Sequence, residues 1–136
     1  MTTTIDVRRS ATAGRVALTG AAVVAAAVNY LVARGAIALG ADESFRPLTP
    51  PVVIAFTVIG VAVGYLGWRA IVRRGWRPGV VVPLVLAASM LPDLLLMATG
   101  FIPDTTTTGV AGLMVMHLVV AAVALPVYRR IYPVRG

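Results

Sequence analysis

Ser89-Met90-Leu91-Pro92-Asp93-Leu94-Leu95-Leu96-Met97 is the stretch on which the fold is decided, because its one carboxyl group has apolar chain on both sides. A charged side chain at mid-bilayer costs roughly 2.5–3.5 kcal/mol on insertion scales. An acid in such a segment therefore faces protein or a water cavity, and takes a partner. Pro92 adds to this. It cannot donate to the Ala88 carbonyl, so a helix through the stretch bends or loosens just before Asp93. Ser89 lies one turn earlier on the same face, which collects a hydroxyl, a freed carbonyl and a carboxyl at one place.

Working outward, this stretch belongs to one of four long apolar runs, with spans expected at about 16–34, 50–71, 79–98 and 109–128. Each is near the roughly 17–25 residues that cross a hydrocarbon core as a helix. The runs are far longer than the roughly 9–11 residues of an outer-membrane barrel strand, and they lack its alternation. Hydrophobic content of 59%, against 12% charged residues, excludes an ordinary soluble domain. The expectation is all-α: an integral membrane four-helix bundle with a disordered tail at 1–13 and a second tail at 131–136. The first apolar run is too long for a signal-peptide core of about 7–15 residues, so it is read as an uncleaved anchor.

The net charge of +7 comes from twelve basic residues, all Arg. Arg8, Arg9 and Arg15 precede the first span, and Arg69, Arg73, Arg74 and Arg77 sit between the second and third. Arg129, Arg130 and Arg135 follow the fourth, whereas the two other connections hold only Arg34 and Arg46 beside Asp42, Glu43 and Asp104. This bias places both termini and the middle loop in the cytoplasm, with the chain multi-pass in the inner (plasma) membrane. Tyr65, Trp68, Trp76, Tyr128 and Tyr132 gather at the same end, as aromatic side chains with a polar edge do at an interface. Anionic lipid headgroups are the expected contacts of these Arg residues, and no nucleic acid is expected.

Three features point to helix contacts. Ala22, Ala25 or Ala26, Asn29, Ala33 and Ala36 form a small-residue stripe on the first span, and Gly60, Gly64 and Gly67 mark a close-packing face on the second. Thr49-Pro50-Pro51 starts that second helix, with Thr49 as its cap. The short Arg-rich link makes spans two and three antiparallel neighbours. His117, the only histidine, points into the bundle on a face with Val110, Leu113, Ala121 and Ala124.

Asn29, Asp93 and His117 stand at similar depth on three spans, so the polar intramembrane cluster is expected to comprise Asn29, Asp93, His117 and Ser89. No Cys is present, which removes thiol chemistry and Cys-ligated metals. Neither a nucleophile with its base nor a metal-ligand cluster is legible, so no enzyme activity, cofactor or metal is expected. One His cannot supply both axial ligands of a haem, though Met114 or a second subunit could complete the pair. A structural or accessory membrane component with an unidentified membrane-protein partner is the first reading. A small proton- or cation-coupled transporter using Asp93 and His117 is the alternative. It would share only its size with the small four-helix multidrug exporters, which depend on an acid in the first span.

The overall plan comprises a Thr-rich start, Asn29-Tyr30 in an Ala-rich first span, Leu48-Thr49-Pro50 opening the second, Pro92-Asp93 in the third and Met116-His117 in the fourth. It resembles small four-span membrane proteins of actinobacteria, an uncharacterised family of unknown function. That resemblance implies a membrane location and no activity, so it carries no catalytic residue across.

Overall fold

A computed structural model describes residues 3–134. Its helices are α1 (Thr3–Ala38), α2 (Pro50–Arg73), α3 (Pro78–Ser89), α4 (Leu91–Thr99) and α5 (Thr107–Ile131), with a 3-10 turn at Arg46–Leu48. Four helical stretches are long and apolar enough to cross a membrane: Ala11–Ala38, Pro50–Arg73, Pro78–Thr99 and Thr107–Ile131. The third of these is α3 and α4 in series. They meet at Met90, the residue before Leu91-Pro92, where the missing proline donor opens the ladder. The bend expected at Pro92 is therefore a break between two helices.

At the N-terminus the structure corrects the sequence reading. Helix α1 begins at Thr3, so 3–13 is helical where a disordered tail is predicted. No Pro or Gly interrupts the chain before Gly14, and a helix already nucleated by a span extends at little cost. Met1, Thr2, Arg135 and Gly136 lie outside the described residues.

Helices α1, α2 and α5 form the packed body, with α1 lying chiefly along α5 and then along α2. The small-residue stripe does what its spacing implies: Ala25, Asn29, Ala33 and Ala36 are all buried, while Arg34 is exposed. Opposite Ala36 sits Gly112, where a Cβ would come within 3.0 Å of the Ala36 methyl. Small residues on both sides let the backbones approach, which is how helices associate where lipid is as apolar as Leu. At the acidic-loop end Phe45, with no exposed surface, plugs the body between Ala33, Ala36, Leu48, Val53 and Met116. A Cβ on Gly109 would touch its ring at 3.0 Å.

The second apolar cluster lies toward the Arg-rich end and joins Ala25, Val61, Trp68, Ala124 and Tyr128. Two aromatic residues expected at the membrane interface are here instead, Trp68 at 2% and Tyr128 at 5% exposure. Their polar edges are satisfied by backbone: Tyr128 Oη donates to the Val61 carbonyl at 2.6 Å and Trp68 Nε1 to the Tyr132 carbonyl at 2.8 Å. Trp76 remains half exposed, as an interface residue should.

Three further expectations change. Thr49 precedes α2, but its hydroxyl donates to the Arg46 carbonyl at 2.7 Å and caps no helix amide. The side-chain cap is instead Thr106, whose oxygen accepts from the Gly109 amide at 3.0 Å. Spans two and three are joined by a short link, yet the third packs chiefly on α5, and α2 touches only its α3 half closely. Of the glycine face, Gly64 alone is a tight contact: a Cβ there would lie 2.7 Å from Tyr128 Oη. Gly60 has ordinary contact with Val120, and Gly67 faces open space.

Gly64→Ala is expected to destabilise the bundle by about 1–3 kcal/mol, since the added methyl displaces a tyrosine fixed by its own hydrogen bond. Gly67→Ala meets nothing and gains about 0.5–1 kcal/mol of helix preference. Reversible unfolding of the two variants in mixed micelles checks the contrast.

Candidate functional site

The break at Met90 sets Asp93 in the first turn of α4, and Asp93 is the only buried residue of the whole third span. Across from it, His117 projects from the flank of α5, one position away from the buried line that runs through Gly112, Met116 and Ala124. The two side chains meet, with His117 Nδ1 3.3 Å from Asp93 Oδ2. The same nitrogen lies 2.9 Å from the Leu113 carbonyl one turn back. A carbonyl can only accept, so Nδ1 carries a proton and directs it at Leu113. Asp93 Oδ2 is left buried beside the ring without a hydrogen bond.

Asn29 takes a different partner from those expected. Its Nδ2 donates to Thr57 Oγ1 on α2 at 2.9 Å, a buried link between the first two spans. Asn29 is 2% and Thr57 4% exposed, and Asn29 Oδ1 has no hydrogen-bond partner. Ser89, expected in the cluster, donates instead to the Leu86 carbonyl at 2.6 Å within its own helix. Such back-bonding is common for a serine in a helix and leaves no donor for the acid. The predicted four-residue cluster thus resolves into an Asp93–His117 pair, an Asn29–Thr57 pair and a Ser89 turned to its own backbone. Thr57 is the member the sequence reading misses. Its signal is a hydroxyl on the face of the second span that also carries Gly60 and Gly64.

All five of these side chains line one cavity of about 1420 Å³, walled by α2, the third span and α5. The cavity exists because the third span stands off from α2. Its inward residues, among them Val82, Val85 and Leu86, are too large for the close approach that Ala and Gly allow between α1 and α5. The rest of the wall is mostly apolar, with Val120, Ala121 and Leu125 from α5 and Phe56, Ile59 and Val63 from α2, though Arg46 and Thr99 also reach it. At the Arg-rich end, Arg69 lies over the rings of Tyr65 and Tyr132 at 5.9 and 5.8 Å. Arg129 lies over Trp68 at 5.9 Å and Arg74 over Trp76 at 5.1 Å.

Four apolar helical spans, with polar pairs linking neighbouring helices at two places, define a multi-pass α-helical membrane protein. The chain belongs to the DUF6069 family, a family of unknown function, which matches residues 6–133. No curated protein and no solved structure matches it.

Asn29→Leu and Thr57→Val should each lower stability, and the double variant should lose no more than the worse single. Their coupling, measured by a double-mutant cycle, is expected at about 0.6–1.7 kcal/mol, as for other hydrogen bonds between membrane helices.

Proposed function

We propose that the protein is a structural or accessory component of the cell membrane rather than an enzyme, with Asp93 and His117 latching its third span to the bundle. One observation supports this above the rest: the sole buried residue of the third span is the one set against His117. Apart from that contact the span has only partly buried or exposed apolar side chains to hold it, and these gain little by leaving lipid for protein.

The Arg distribution supports an orientation with both termini and the Arg-rich link in the cytoplasm of the inner (plasma) membrane. Arginine without lysine, and spans rich in Ala and Val, suit the GC-rich actinobacterial origin that the resemblance implies. Anionic lipid headgroups are the natural contacts at that end. Arg69, Arg74 and Arg129 are braced on aromatic rings, which holds their guanidinium groups at that end. The lateral opening beside the third span is the place for a membrane-protein partner. A second reading, a proton- or cation-coupled carrier, draws on the cavity that reaches both Asp93 and His117.

Asp93→Asn and His117→Ala separate these readings. For the latch, each lowers stability by about 1 kcal/mol, the double variant loses no more than one of them, and reconstituted vesicles show no substrate-driven proton movement in any form. Full stability together with loss of a wild-type proton flux would replace the latch with the carrier. Orientation is read separately, since the chain has no Cys of its own. Ser44→Cys should label with an impermeant maleimide in intact cells, and Arg77→Cys only after permeabilisation.

A further inference from the structure

The cavity is a long groove. Its wall on α2 runs from Val52 to Ile71, which at 1.5 Å per residue is about 28 Å, close to the roughly 30 Å of a hydrocarbon core. Its volume of about 1420 Å³ exceeds the roughly 300–1,000 Å³ of small-molecule pockets. In the half nearer the Arg-rich link the open surface is hydrocarbon. Val63 and Gly67 of α2 are exposed there, Val81, Val82 and Val85 line it from α3, and the donors of Trp68 and Tyr128 are spent on backbone carbonyls. Gly67 is the gap in this half, since nothing lies within 4 Å of the place its Cβ would take. At the mouth, Trp76 is both part of the lining and the ring beneath Arg74: it is half exposed and carries the guanidinium over its face at 5.1 Å. Arg74 has no carboxylate partner among the described side chains. The opposite mouth has Arg46, but there Asp42, Glu43 and Asp104 outnumber Arg34 and Arg46. A cation over the end of an apolar groove suits an anion tethered to an apolar chain, and only the Arg-rich mouth has positive charge in excess.

We infer that one anionic phospholipid is held here, with its phosphate at Arg74 and one acyl chain in the groove along Gly67, between α2 and α3. A chain reaching from the level of Ile71 to that of Gly60 covers about 16 Å, one leaflet's share of the core. The inference rests on the headgroup contacts proposed for the Arg residues and adds to them a chain enclosed by the protein. A membrane-protein partner at the lateral opening meets the protein with this lipid in place.

The test uses the full chain in phosphatidylcholine bilayers that hold a small share of either phosphatidylglycerol or phosphatidylcholine with one brominated chain, a contact quencher of tryptophan fluorescence. Both tryptophans line the Arg-rich half, so quenching reads this mouth and not that of Arg46. Brominated phosphatidylglycerol is expected to compete about fivefold better than brominated phosphatidylcholine, and Arg74→Gln to remove most of that preference, whereas Arg46→Gln leaves it unchanged. Gly67→Leu fills the groove where nothing stands and should likewise remove most of the preference, with helicity unchanged. Should it fail to fold, Val63→Phe replaces it, from an exposed lining position one turn away. Equal quenching by the two lipids in the wild type would overturn both the inference and the headgroup contacts. A preference that survives whole in Gly67→Leu or Val63→Phe would keep the headgroup contacts and overturn the held chain, as would a preference lost in Arg46→Gln instead of Arg74→Gln. A wild-type dimer that Gly67→Leu dissolves would give the groove to a second copy and also overturn the inference.

Discussion

Burial of a polar group away from water without a partner is the constraint on which this structure depends, and the chain answers it differently at each seam. Between α1 and α2 the answer is side chain to side chain, Asn29 to Thr57. Between α2 and α5 it is side chain to backbone, with Tyr128 bonded to the Val61 carbonyl and Trp68 to that of Tyr132. Between the third span and α5 it is only partial, since the imidazole nitrogen that approaches Asp93 donates its hydrogen bond to the Leu113 carbonyl. The seam that is least satisfied is also the one with the cavity.

The difference between the tight and loose parts of the bundle follows from side-chain size. In hydrocarbon no gain comes from removing an apolar side chain from solvent, so contact depends on how closely backbones can approach. Ala25, Ala33 and Ala36 on α1, facing α5 with Gly112 and Ala124, permit a close crossing. The third span offers Val, Leu and Met almost throughout, with Pro83 and Pro92 breaking its regularity, and its large side chains remain exposed or only partly buried. A span built this way packs less closely, and its one buried side chain is polar.

The aromatic residues show the same economy. Sequence position suggests that Trp68 and Tyr128 float at the interface with the other rings. In the fold they turn inward because Gly64 leaves room above α2 for the Tyr128 ring and because both find carbonyl acceptors there. Their neighbours Arg69 and Arg129 then lie over ring faces, where a cation is attracted to the π-electron density. One cluster thus closes the α2–α5 seam from inside while holding guanidinium groups at the membrane boundary.

The membrane class, the four spans, the interruption before Asp93 and the small-residue face of α1 were all legible in the linear chain. Run length, proline chemistry and helical periodicity are local properties, and they do not need to know which helix is the neighbour. The meeting of Asp93 with His117 was legible too, because a lone acid and a lone imidazole at similar depth have few other choices. The third side of that expected cluster was not. Asn29 has two polar ends and can be satisfied from any adjacent span, so only the rotation of α1 against α2 decides for Thr57. Likewise the sequence marks three glycines on α2 without telling that one meets a tyrosine, one a valine and one nothing. Phe45, a loop residue with no periodicity to flag it, becomes the most enclosed aromatic side chain of the body. The cavity itself belongs wholly to tertiary structure, since it is the space left when one span's large side chains prevent the approach that another's alanines allow.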